Sequence, residues 1–236
     1  MISRILHSTD FAGDAARFIL DHARKAIADR GLFRLGLTGG RSPRAIHAAL
    51  IELAGDLPWK KIQITFGDER CVPPDHEDSN YLVAKETLLD PSGIPAGNVF
   101  RMRGEIDPET AANEYAAMLH AFAARLGESR YVHDLLLLGL GEDGHTASLF
   151  PGSPALEETT REVLPVIGPK PPPQRLSMTF PLINASHHIL FLVPQPDKRE
   201  IAEAAIGGDA RYPASRVHGQ ERTTWLFGSR PATPKA

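Results

Sequence analysis

Three polar clusters, each set just after a short apolar run, hold the residue types that could do acid–base chemistry on an anionic small molecule. The first is Thr38-Gly39-Gly40-Arg41-Ser42-Pro43. Two glycines allow close backbone approach, a helix start at Pro43 leaves N–H groups free, and Thr38 and Ser42 add hydroxyls; together these make a phosphate cradle. The same residues would equally serve a tight turn before a capped helix, and the nucleotide loop GxxxxGK[ST] is absent. The second is Gly67-Asp68-Glu69-Arg70, three adjacent ionisable side chains that fit a solvated loop or a functional cluster equally well. Cys71 follows, and a lone cysteine there reads as an apolar filler rather than a nucleophile.

The third cluster is Gly139-Leu140-Gly141-Glu142-Asp143-Gly144-His145-Thr146-Ala147-Ser148. Its glycines satisfy GxGxxG literally, but a charged pair fills the turn and the preceding strand lies mid-chain, which is a poor dinucleotide context. A general base fits better: histidine titrates near neutrality, and Asp143 two residues earlier can orient it. A capping or surface histidine is the alternative these residues alone leave open. Arg175 and Lys198 could complete an anion site, though each alone reads as surface charge. No metal site is expected: the ten histidines show no HExxH, and His187 and His188 would face opposite sides of a strand. No GxSxG elbow offers a serine nucleophile.

The elements that must position these clusters follow from periodicity. Asp10 is placed to cap a helix whose apolar side holds Phe11, Ala15, Phe18, Ile19, Ala26 and Ile27. A strand is expected over 33–38, a helix from Pro43 through Leu53, and a strand over 62–66. Asp78 or Ser79 would cap a helix carrying Tyr81, Leu82 and Leu88, and Asp107 would open another running to about Leu126. Leu135-Leu136-Leu137-Leu138 reads as a central parallel strand buried on both faces. A strand over 189–193, a helix over about 197–206 and a strand over 223–227 complete the pattern, with a further strand at 163–167. Alternating strands and helices indicate an α/β fold with a mostly parallel sheet flanked by helices, whose ligands bind beyond the carboxyl ends of the strands.

Composition narrows the chemistry. The 236 residues suit one domain over 1–236, without repeat or linker. A formal charge of −3 lacks the positive balance of a dedicated nucleic-acid binder, and 7% aromatic content is poor for base stacking. One cysteine excludes an intrachain disulfide framework and a cysteine-built metal site. No signal-peptide apolar region opens the chain, and no stretch approaches the roughly 20 apolar residues of a bilayer span. The expectation is a cytoplasmic protein acting on a small molecule, without nucleic-acid or membrane partners, as a monomer or small homo-oligomer. The tail over 230–236 is expected to fray, and the proline-rich segment 168–173 is read as a stiff surface connector rather than a PxxP ligand.

The clusters together resemble the 6-phosphogluconolactonase family. The matching segments are LTGGRSP (37–43), FGDERCVPPDHEDSNY (66–81) and DLLLLGLGEDGHTASLFP (134–151), with weaker matches at RLSMTFPL (175–182) and FLVPQPDK (191–198). Gln195 departs from the glycine this family commonly places before the lysine. The resemblance implies a Rossmann-like layered fold shared with glucosamine-6-phosphate deaminases and ribose-5-phosphate isomerases. It also implies hydrolysis of 6-phospho-D-glucono-1,5-lactone in the pentose phosphate pathway, without metal or organic cofactor. His145 would then be the base that deprotonates water, and Asp143 would orient it. Arg70, supported by Asp68 and Glu69, would bind substrate or offset negative charge. Thr38, Gly39, Gly40, Arg41, Ser42, Arg175 and Lys198 would grip the phosphate. The rival enzyme is a glucosamine-6-phosphate deaminase or isomerase, which typically has Tyr at the position of Arg70 and IAFNEP where 146–151 reads TASLFP. A non-catalytic sugar-phosphate sensor is the rival from another class.

Overall fold

The run of four leucines forms β5 (Leu135–Gly139), and its side chains alternate between two cores. Leu136 and Leu138 enter one apolar cluster, Leu135 and Leu137 the other. Period-two side-chain direction therefore explains an unbroken apolar run as a strand covered on both faces. The computed structural model describes residues 3–40 and 42–229. The expectations for Arg41 and for the tail over 230–236 lie outside the described residues.

Around β5 stand β1 (Arg4–Ser8), β2 (Phe33–Leu37), β3 (Ile62–Phe66), β8 (His188–Val193) and β9 (Arg222–Gly228). They form a six-stranded sheet in the order β1-β9-β8-β5-β2-β3, and every pairing is parallel. From β2 the chain steps outward to β3, then returns to the opposite side of β2 to lay down β5. The carboxyl ends of β2 and β5 thus flank a topological switch point, where open α/β sheets leave a crevice.

A second sheet, β4-β7-β6, is antiparallel and was not expected. Its strands are β4 (Asp68–Arg70), β6 (Val163–Ile167) and β7 (Gln174–Met178). The Asp68-Glu69-Arg70 triplet, open between loop and cluster in the sequence, is therefore a strand. Gly67 carries the chain from one sheet to the other: its N–H donates to Leu37 O at 2.9 Å and its carbonyl accepts from Met178 N at 2.8 Å.

The helices follow their caps. Asp10 accepts from Gly13 N and starts α1 (Phe11–Arg30), and Pro43 opens α2 (Pro43–Leu53). Ser79, rather than Asp78, caps α3 (Asn80–Ala84), whose path continues through a π-turn at Lys85–Leu89 into the short α4 (Asp90–Ser92). Asp107 accepts from Thr110 N at the start of α5 (Pro108–Arg125). The short α6 (Phe180–Ile183) follows β7, and α7 (Arg199–Ile206) follows β8. Residues of α1 and α2 belong to the core on one side of the main sheet, and residues of α5 and α7 to the core on the other. No helix among the described residues is long and apolar enough to cross a membrane.

Candidate active site

The three polar clusters meet in one cleft of about 290 Å3 at the carboxyl ends of the parallel strands. Thr38, Gly39, Gly40 and Ser42 line it from the end of β2, Asp68 and Arg70 from β4, and His145 from the loop after β5. Arg175 and Lys198, far apart in sequence, line the same cleft. Thr38 ties two walls together, since its Oγ1 accepts the Gly139 N–H at 3.2 Å across the switch point.

His145 is held by a tight turn. Asp143 Oδ1 lies 2.5 Å from His145 Nδ1 and also accepts the His145 backbone N–H at 3.1 Å. A carboxylate at Nδ1 selects the tautomer with the proton there, leaving the Nε2 lone pair available as a base. Burial pushes the Asp143 carboxyl up, but the hydrogen bonds and charge of His145 outweigh it and hold the group below its usual value. The ring rests on Phe150, with centroids 4.6 Å apart.

The glycines of the literal GxGxxG answer to this histidine. A Cβ on Gly141 would lie 2.1 Å from His145 Nδ1, and Gly144 takes φ +75°, a region that disfavours side chains. Gly141 N–H donates to His145 O at 2.8 Å, which closes the turn. Ala147, also in the cleft wall, is the one non-glycine residue with positive φ among the described residues, at 48°, a strained conformation beside the candidate base.

Strand alternation splits the Asp-Glu-Arg triplet. Asp68 and Arg70 face the cleft, whereas Glu69 is absent from its lining and turns to the start of α3. There the Glu69 carboxylate accepts from Asn80 N, Tyr81 N and Ser79 Oγ at 2.7, 2.8 and 3.1 Å. Burial raises its pKa against the pull of these backbone N–H groups. Glu69 is thus a carboxylate that ties β4 to the start of α3, on the face of the strand opposite Arg70 and absent from the cleft lining.

Asp68 is 7% exposed and accepts from Ser148 Oγ at 2.7 Å and Asn80 Nδ2 at 3.3 Å. Arg70 donates through Nη1 to Asp78 O at 2.6 Å. Arg175 is 9% exposed, and its Nε has no hydrogen-bond partner among the described residues. Burial, then the neighbouring Arg70 charge, lowers the Arg175 pKa. Lys198 Nζ donates to Leu140 O at 2.7 Å, directly beyond β5. Gln195 adopts φ −84° and ψ 127°, an ordinary extended backbone, so the departure from glycine there still delivers Lys198 to the cleft. Among the described residues Ser42 makes no side-chain cap bond at the start of α2, and it lines the cleft. Burial and then Glu69 push the Cys71 thiol up to about 11, away from the thiolate that a nucleophile needs.

Sequence reasoning passed over Asn80, Glu142 and Lys170, all of which line the cleft. Asn80 packs so closely on Gly39 that a Cβ there would lie 2.1 Å from Asn80 Oδ1, which explains the first glycine of the cradle. The signal for it was the SNY tripeptide closing the second matched segment. Lys170 lay inside the proline-rich segment, which forms the β6–β7 hairpin turn and a wall of the cleft.

Comparisons of the sequence and of the fold with known proteins agree with one another. Residues 7–225 match the model of the family described as glucosamine-6-phosphate isomerases/6-phosphogluconolactonase. The chain is 40% identical over 207 residues to the 6-phosphogluconolactonase of Synechocystis, covering 86% of this chain and 85% of that one. It superposes on the crystal structure of the Thermotoga maritima 6-phosphogluconolactonase with a TM-score of 0.84 at 28% identity, covering 96% of this chain and all of that one. A monomeric glucosamine-6-phosphate deaminase shares the fold with a TM-score of 0.80 at 21% identity, covering 95% of this chain and 97% of that one. The fold alone therefore does not choose between hydrolysis and deamination; the residues in the cleft must.

Proposed function

The chain belongs to the glucosamine-6-phosphate isomerase/6-phosphogluconolactonase family and has the activity of its lactonases, and we propose that it hydrolyses 6-phospho-D-glucono-1,5-lactone with His145 as the general base. The observation that carries this mechanism is the Asp143–His145 pair in a cleft lined by Arg70, Arg175 and Lys198. A lactone is already an activated acyl group, so a positioned base and a cationic wall suffice without a covalent nucleophile.

Nε2 of His145 takes a proton from a water molecule as its oxygen attacks the lactone carbonyl. Asp143 stabilises the imidazolium that forms. Arg70 and Arg175 offset the charge developing on the carbonyl oxygen, in a cleft wall where their own neutralisation is incomplete. When the tetrahedral intermediate collapses, the C1–O5 bond breaks and the imidazolium returns its proton to the leaving ring oxygen. The product is the open-chain acid, which ionises to 6-phosphogluconate and releases one proton. Thr38, Gly39, Gly40, Ser42 and Lys198 hold the phosphate, remote from the carbonyl, and its binding orients the ring. Arg41 belongs to the same proposed grip by sequence. Asp68, braced by Ser148 and Asn80, supports the Arg70 wall.

Arg70 and the TASLFP sequence after His145 favour the lactonase over the deaminase. Offering the purified protein each substrate separates them. Acid release from the lactone above its spontaneous rate, with no ammonia from glucosamine 6-phosphate, is the expected result; ammonia release without acid release would overturn it.

A further inference from the structure

The Lys170 ammonium and the Glu142 carboxylate approach each other at the cleft from two different elements. Lys170 sits in the β6–β7 hairpin turn, which is closed by a hydrogen bond from Gly168 N to Pro173 O at 2.7 Å. Pro169, Pro171, Pro172 and Pro173 stiffen this turn, so its backbone is set before any ligand arrives. The Lys170 carbonyl accepts from Arg175 Nη2 at 3.4 Å, which ties the turn to the cation pair of the cleft. Glu142 stands in the turn that presents Asp143 and His145. Nζ and Oε2 are 3.9 Å apart, the outer limit of an ion pair, with side chains 78% and 75% exposed. An exposed pair of that length contributes little to stability and exchanges readily.

The position of the pair is more telling than its strength. Beside the cleft of about 290 Å3 lies a second opening of about 460 Å3. Glu142 and Lys170 border both, as do Arg70, His145 and Arg175. Two oppositely charged side chains therefore stand where the cavities meet, within the reach of an anion entering either.

We propose that Lys170 is a substrate-capturing cation and that Glu142 is its built-in competitor. The phosphate dianion of the incoming sugar displaces the Glu142 carboxylate from Lys170 on entry and then passes to Thr38, Ser42 and Lys198, which leaves the carbonyl beside His145. A dianion with three acceptor oxygens outcompetes a single distant carboxylate for one ammonium. Glu142 keeps Lys170 over the empty cleft while weakening the hold on anions. This proposal rests on the lactonase reading above, because the phosphate is the only charged group of that substrate.

Initial rates against lactone concentration test it in four proteins: the natural sequence, K170A, E142Q and the double variant. Lys170→Ala is expected to raise KM about tenfold. Glu142→Gln is expected to lower KM about two- to threefold, the scale of an exposed ion pair. In the Lys170→Ala background the Glu142→Gln effect should vanish, since the competitor has nothing to compete for. An unchanged KM in K170A overturns the proposal. So does an E142Q effect that persists undiminished in the double variant, which would mean that Glu142 repels the ligand directly. Inorganic phosphate, read by the rise in Tm it causes, separates this failure from that of the lactonase reading. If no protein turns over lactone, yet K170A loses the phosphate-dependent rise, the activity assignment falls and the role of Lys170 stands.

Discussion

Arg70 and Arg175 sit directly opposite each other across the antiparallel β4–β7 ladder. Opposed residues share a sheet face, so two guanidiniums stand side by side in the cleft wall. Neither forms an ion pair with a carboxylate among the described residues, and the Nε of each is buried without a hydrogen-bond partner. The fold thus holds two cations together at a cost, which an anionic ligand offsets.

That cost predicts a trade between stability and activity. Arg175→Met keeps volume and removes the repulsion, so the protein should gain about 1 kcal/mol or lose none. Catalytic efficiency should fall about 10²-fold, the scale of losing one charge-stabilising donor. Urea unfolding and steady-state rates on the same preparation check both. Full efficiency in R175M would remove Arg175 from the reaction.

Asp143→Asn tests the tautomer. An asparagine can donate its own N–H to Nδ1, which would move the ring proton to Nε2 and remove the base. A kcat loss of roughly 10²–10⁴-fold is expected, with KM little altered. The Asp143 carboxyl is held below its usual value, so it stays ionised through the weakly acidic range. The pH–rate profile should therefore show no limb from this group above its ordinary titration range.

Gly141→Ala probes the turn. Its Cβ would fall 2.1 Å from His145 Nδ1, and the ring must shift to escape it. A displacement of about 1 Å can cost about 10²-fold in rate. The Tm should fall little, because the turn lies at the cleft rather than in either core.

Acid should weaken the fold through histidines remote from the chemistry. Burial, with lesser help from Arg34, lowers His133 to about 3; burial, with Arg44, lowers His47 to about 4. Both pKa values are depressed on folding, so their contribution is present above the unfolded value near 6.5 and is lost as pH falls below it. At pH 5 each costs roughly 2 kcal/mol relative to pH 7. Glu69, whose pKa burial raises, works in the opposite direction and offsets part of the loss. Urea midpoints at pH 7 and 5 read the slope, and H133N should reduce it.

The sequence was most legible where side-chain period and cap chemistry agree. Leu135 to Leu138, the Asp10 and Asp107 caps and Pro43 all predicted their elements because local pattern and tertiary role coincide. The antiparallel sheet was hidden for the opposite reason. Asp68-Glu69-Arg70 carries residues depleted in strands, and its partner Gln174–Met178 lies a hundred residues away. The family resemblance grouped Glu69 with Asp68 and Arg70; in the strand, period-two alternation turns it to the opposite face. β1 escaped notice because its edge position leaves Arg4, Ile5 and His7 exposed, so no apolar stripe marks it. Lys170 was masked by the prolines around it, which signal a connector but do not say what the connector borders.

The central claim is that His145 activates water against the lactone. Glucose-6-phosphate dehydrogenase can generate the lactone in situ, and its hydrolysis above the spontaneous rate can be followed for the natural sequence and for His145→Ala. A fall in kcat of roughly 10²–10⁴-fold, with the fold intact by circular dichroism, is the predicted result. Turnover near that of the natural sequence in H145A would contradict it.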